Sequence, residues 1–140
     1  MWFSKKEMPA KPAGQVTTKG RGDAAEALAL AHLQGAGLKW LVSNYRTPGR
    51  GGGEIDLIMS GVDGTLVFVE VRQRASASHG GAGASISATK QRRIVFAARH
   101  YLTRYKTLPP CRFDVVLIQG ALGTDEKPEI EWLRSAFDAF

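Results

Sequence analysis

A chain of 140 residues with 44% hydrophobic content suits one folded domain, long enough to bury a core without covalent staples. Its single cysteine, Cys111, excludes an intrachain disulfide framework and favours a reducing compartment, and the absence of a long apolar run argues against an export signal or a membrane span, so the cytoplasm is expected. Nineteen Lys and Arg against thirteen Asp and Glu give a net charge of +6. That balance favours a polyanion, and with no basic amphipathic face suited to lipid, the polyanion is read as nucleic acid.

Residues 1–19 carry Pro9, Pro12, Gly14 and scattered lysines without periodicity, and read as a flexible basic arm ahead of one domain over 20–140. A helix follows, with Asp23 as a candidate N-cap and Gly35 to Gly37 as its stop. Glu26 falls on the same face as Leu30 and Leu33, where an acid needs a partner. Pairing with Arg21 or reaching water would satisfy it; so would a role in a site. Lys39–Arg46 reads as a strand with Trp40, Val42 and Asn44 on one side. The glycine-rich bend 47–53 is not a P-loop, because Gly-Lys-Ser/Thr and a following helix are both missing. Its main chain has room to approach a phosphate, and Arg46 and Arg50 flank it as candidate phosphate contacts or as solvated loop arginines.

Next come two strands, 54–60 and 66–74, joined by the turn chemistry of Gly61-Val62-Asp63-Gly64. Residues 75–85 are small and polar, and His79 among them reads as an ordinary loop histidine. Ser87 caps a second helix reaching about residue 104, with Ile94, Ala97, Ala98, Tyr101 and Leu102 as its buried stripe. Lys90, Arg92 and Arg93 crowd its N-terminal half, where the macrodipole disfavours cations, so phosphate contact is the expected use of the cluster. Residues 112–119 form a strand buried on both faces, its Asp114 read as structural. A short edge strand, 129–133, and a packing tail with Phe137 and Phe140 close the chain. The order helix, three strands, helix, two strands implies an α/β fold: a mixed central sheet flanked by helices.

The hairpin carries the chemistry. A register with Ser60 opposite Leu66 also sets Ile58 opposite Phe68 and Asp56 opposite Glu70, so both acids share a face with Cβ atoms about 4.5–5.5 Å apart. Like charges so placed repel, and apolar neighbours add to the cost. A divalent cation such as Mg²⁺ or Mn²⁺ resolves the conflict, since hard metals take carboxylate oxygens and keep positions open for water and phosphate. The Val71 carbonyl is a candidate third oxygen, and Arg72 points to the same side.

An Asp followed by a strand bearing Glu-x-Arg resembles the Asp…Glu-x-Lys signature of PD-(D/E)XK nucleases. The fuller pattern, Asn44-Tyr45-Arg46, GEIDLI and LVFVEV, resembles the bacterial YraN-like family, itself similar to archaeal Holliday-junction resolvases, from about Gly20 to Leu117. The resemblance implies a restriction-endonuclease-like core and metal-dependent endonuclease activity on DNA. It further implies a branched substrate and a homodimer. Asp56, Glu70 and Arg72 would be its site, Glu26 the first-helix acid that joins the metal, and Lys90-Gln91 polar helix residues that look towards it. The usual final Lys is replaced by Arg72, which can stabilise charge but cannot accept a proton. A non-catalytic nucleic-acid-binding protein that keeps the nuclease fold, with Arg72 neutralising both acids, is the competing expectation.

Overall fold

Local sequence accounts for most element boundaries in the computed structural model, which describes residues 18–74, 86–120 and 127–138. The arm up to residue 17, the segment 75–85 with His79, and Phe140 lie outside the described residues. Helix α1 spans Thr18–Gly35 and so begins five residues before Asp23, which lies inside the helix and is not its N-cap. Its end follows the glycines. Leu38 N–H donates to Leu33 O (3.1 Å) and Gly37 N–H to Gln34 O (3.0 Å), with Gly37 at φ 103°, a Schellman closure that needs a residue without Cβ strain.

Five strands follow: β1 (Lys39–Arg46), β2 (Glu54–Ser60), β3 (Leu66–Arg74), β4 (Cys111–Gln119) and β5 (Glu129–Phe137), with helix α2 (Ala88–Leu102) between β3 and β4. They form one sheet in the order β1-β2-β3-β4-β5. Only β3 and β4 pair in parallel, because α2 carries the chain back across the sheet; the other neighbours are antiparallel. This is the expected α/β architecture in the expected element order.

The helices cover opposite faces. Ala25, Ala29 and Leu33, four residues apart on α1, pack on Leu57, Met59, Val67, Val69, Val116 and Ile118. On the other face α2 buries Ile94, Ala97, Ala98, Tyr101 and Leu102, the stripe read from its periodicity, against Ile55, Ile58, Leu66, Phe68 and Phe113. Each large apolar side chain so buried contributes about 1.5–3 kcal/mol. The two alanines let α2 approach closely, and Gly53 completes that contact. A Cβ at Gly53 would lie 2.0 Å from Arg93 O. The glycine-rich bend is therefore shaped by helix packing, and its tight closure, Thr47 N–H to Gly53 O at 3.0 Å and Gly53 N–H to Thr47 Oγ1 at 2.7 Å, holds β2 at its start.

The last strand is longer than its sequence suggests. β5 runs to Phe137, which stacks on Phe113 at 5.0 Å, instead of stopping at residue 133. An irregularity between Phe113 and Val115, with Ser135 at φ 51°, interrupts its ladder. The Asp114 carboxylate fills that gap by accepting from Ser135 N–H at 3.0 Å. No helix among the described residues is long and apolar enough to cross a membrane.

Candidate active site

The hairpin adopts the register considered from the sequence, Ser60 with Leu66 and Ile58 with Phe68, but the ladder ends at Leu57 and Val69. Asp56 and Glu70 do not form the next rung. Asp56 Oδ2 instead accepts a hydrogen bond from Val71 N–H at 2.8 Å, taking the place of a backbone partner. Strict alternation breaks at the same point: Ile55 and Ile58 both pack on the α2 side, whereas Leu57 packs on the α1 side. Across on β1, Asn44 has φ 54°, between the pairs Ser43–Leu57 and Tyr45–Ile55. A bulge between Trp40 and Val42 also divides the face expected for Trp40, Val42 and Asn44: Val42 packs in the core while Trp40 stays exposed. The strands separate at this end, and two clefts open there.

Glu26, Asp23, Asn44, Arg46, Glu54 and Asp56 line one cleft of about 530 Å³. Glu26 is half-buried beside the stripe of Ala25, Ala29 and Leu33, and opens onto the same space as Asp56. Its alternative partner, the Arg21 side chain, lies outside the described residues. Glu70, Val71, Arg72, Gln73, Ser87 and Lys90 line the other cleft, of about 510 Å³. The two acids are neighbours at the mouth between them. Glu70 is buried at 7% exposure, and its Oε1 is the one buried side-chain oxygen or nitrogen among the described residues without a hydrogen-bond partner. Burial, and then the Asp56 charge, push its carboxyl up to about 7, against the pull of Lys90 and Arg72. Asp56 is also raised, by burial, while the Val71 N–H and Lys90 pull it down.

The basic residues of α2 face different ways. Lys90 turns towards the acids, as the resemblance implied for Lys90-Gln91, with its Nζ 3.6 Å from Glu70 Oε2. Arg93 turns to Glu54 (3.8 Å) and Gly52 O (3.4 Å), and Arg46 reaches the same Glu54 oxygen at 3.9 Å. Arg92 donates to Thr89 Oγ1 at 3.2 Å on the outer side of the helix. Arg50 is exposed in the bend. Glu54 was missed as a residue of this region, although an acid between Arg46 and the helix arginines is the signal that could have found it.

Among the described residues no three His, Cys, Asp or Glu side chains converge into a complete metal cage. Asp56 and Glu70 nonetheless fit a hard divalent ion of the kind that is held by one or two carboxylates and keeps several waters. The buried Glu70 Oε1, without a hydrogen-bond partner among the described residues, is an oxygen of that kind.

A mixed sheet sheathed by one helix on each face, with acids gathered where its central hairpin parts, defines a nuclease-like α/β core. The chain belongs to the uncharacterised protein family UPF0102, whose model matches residues 25–118, and the YraN-like resemblance pointed there. It is 68% identical over 152 residues to the UPF0102 protein of Polaromonas naphthalenivorans, covering 99% of each chain. It is also 67% identical over 123 residues to that of Albidiferax ferrireducens, covering 88% of this chain and 91% of the relative.

Proposed function

We propose that the protein is a metal-dependent endonuclease that hydrolyses phosphodiester bonds in DNA. The observation that carries this reading is the pair of half-buried Asp56 and buried Glu70, side by side, both raised towards protonation, with one Glu70 oxygen that no group among the described residues satisfies. An unpaired polar atom of this kind costs about 1–3 kcal/mol, which a fold has no reason to keep for stability alone. Asp56 and Glu70 would hold Mg²⁺ or Mn²⁺, with the Val71 carbonyl beside them and Glu26 opening on the adjoining cleft. The ion supplies Lewis acidity at the phosphoryl group and lowers the pKa of water.

The chain's own residues do the rest. Asp56 is oriented by the Val71 N–H and Glu70 by Lys90, so the carboxylates are aimed before substrate arrives. Arg72 lies on the Glu70 cleft and lends positive charge. Arg46, Arg50, Arg92 and Arg93 supply positive charge for the phosphate backbone, which positions without reading sequence. In the hydrolysis a water oxygen bonds to phosphorus and the bond from phosphorus to one bridging oxygen breaks. Water's proton passes to solvent, and the leaving oxygen takes one from solvent.

A second reading is favoured by one contact. Lys90 already neutralises Glu70 without any metal, which suits a nucleic-acid-binding protein that keeps the fold and not the reaction. Calorimetric titration with Mn²⁺ separates the two: heat is expected with the native protein and none with Asp56→Asn. Incubation of branched and linear DNA with Mg²⁺ or Mn²⁺ should give product with the native protein and none with Glu70→Gln. No heat and no product with native protein leaves the binding reading standing and removes the nuclease.

A further inference from the structure

We propose that Lys90, carried by α2 and not by the hairpin, is the cation that stands beside the reacting phosphate, in the role the nuclease motif gives to the residue at position 72. The inference rests on the hydrolase reading and adds the residue that would make it work despite Arg72.

Geometry comes first. The Lys90 ammonium lies 3.6 Å from Glu70 Oε2 on a side chain only 30% exposed, in the same cleft as Val71 and Arg72. Its backbone is fixed: Ser87 Oγ accepts from Lys90 N–H at 3.1 Å, and the next side chain is tied down by Gln91 Nε2 donating to Ile86 O at 2.9 Å. A lysine in the first turn of a helix opposes the macrodipole, and α2 has no acid in that turn to offset it. Across the cleft Glu70 answers it, with Asp56 close behind. From that position the Lys90 charge favours the charged forms of both Glu70 and Asp56.

The chemistry follows from the side-chain types. With Glu70 engaged in holding a divalent ion, the Lys90 ammonium would be released from its partner while staying tethered at the same mouth. A compact ammonium with three donors can turn to a phosphoryl oxygen or to the attacking water, where a planar guanidinium is restricted to its fork. Its task is to stabilise the negative charge that grows on the phosphoryl oxygens.

Lys90→Met should lower DNA cleavage in Mn²⁺ by about 10²-fold, the scale of losing one aimed donor. Mn²⁺ affinity by calorimetry should rise about fivefold, because the ion no longer displaces a part-buried ion pair. Restoring lysine elsewhere at the mouth, as Lys90→Met with Arg72→Lys, should recover at least a tenth of native turnover. Lys90→Arg, which keeps the charge, should lie between. Native-like turnover in Lys90→Met overturns the proposal. So does a loss confined to DNA affinity with a shallower salt dependence, which marks a plain phosphate contact, or a lower melting temperature with no rescue by Arg72→Lys. Native protein that neither binds Mn²⁺ nor cleaves instead sinks the hydrolase reading, and this inference falls with it.

Discussion

Asp114 and Glu70 are buried acids on adjacent strands, one step apart in register, and they are treated in opposite ways. Val69 pairs with Asp114 and Glu70 with Val115. Asp114 is fully buried and fully answered: Arg112 Nε donates to both oxygens (3.1 and 3.2 Å), Trp132 Nε1 to Oδ2 at 2.9 Å, and Ser135 N–H to Oδ1 at 3.0 Å. Glu70 has a lysine on one oxygen and, among the described residues, no hydrogen-bond partner on the other, with a second acid at its side. The difference separates the acid that holds the fold from the acid on which the proposed metal site rests. Satisfaction, not burial, tells them apart.

The largest effect should come from breaking the answered acid. Asp114→Ala leaves Arg112 and the Ser135 N–H without their partner, and should cost about 3–5 kcal/mol in urea unfolding, as removal of one member of a buried pair does. A loss under about 1 kcal/mol would mean that β5 is anchored by its apolar contacts alone.

The unanswered acid should show itself in the pH dependence of the metal-free protein. In the folded state Glu70 keeps its proton up to about 7, above its ordinary value of 4.5. Between those values the folded state therefore binds more protons than the unfolded chain, so this contribution to stability is full below about 4.5 and is lost as pH rises towards about 7. Asp56, also raised, adds in the same direction. The melting temperature should fall across that window, and Glu70→Gln should flatten the fall. Equal slopes for the two proteins would assign the dependence to other groups.

The smallest effect concerns the helix that brings Lys90 to its partner. Ser87→Ala removes the cap on α2 and should cost about 1 kcal/mol by thermal unfolding. It should also loosen the Lys90 contact with Glu70, read as a Glu70 titration midpoint moved further up by direct NMR measurement. An unchanged midpoint would mean that the side chain keeps its place without the cap.

Much of the fold was legible because its signals are local. The period of α2 named its buried stripe residue by residue, the glycines after α1 marked its end, and the Gly61–Gly64 turn marked the hairpin, whose strands adopt the register of Ser60 opposite Leu66. The start of α1 was misread because Asp23 is a good cap wherever it stands, and nothing nearby says the helix has already begun. Asp56 and Glu70 were expected as an ordinary cross-strand pair, since period-2 reasoning cannot see a ladder stop.

By itself the sequence determined the α/β class, the element order and the two acids at one end of a hairpin, all consequences of spacing along the chain. Only the tertiary structure decided that the strands part at Asp56, that Lys90 faces inward to Glu70 while Arg93 goes to Glu54, and that Asp114 closes a break in β5. Those contacts join residues 15 to 39 positions apart, and such pairings are set by how layers pack. Local periodicity carries no record of them.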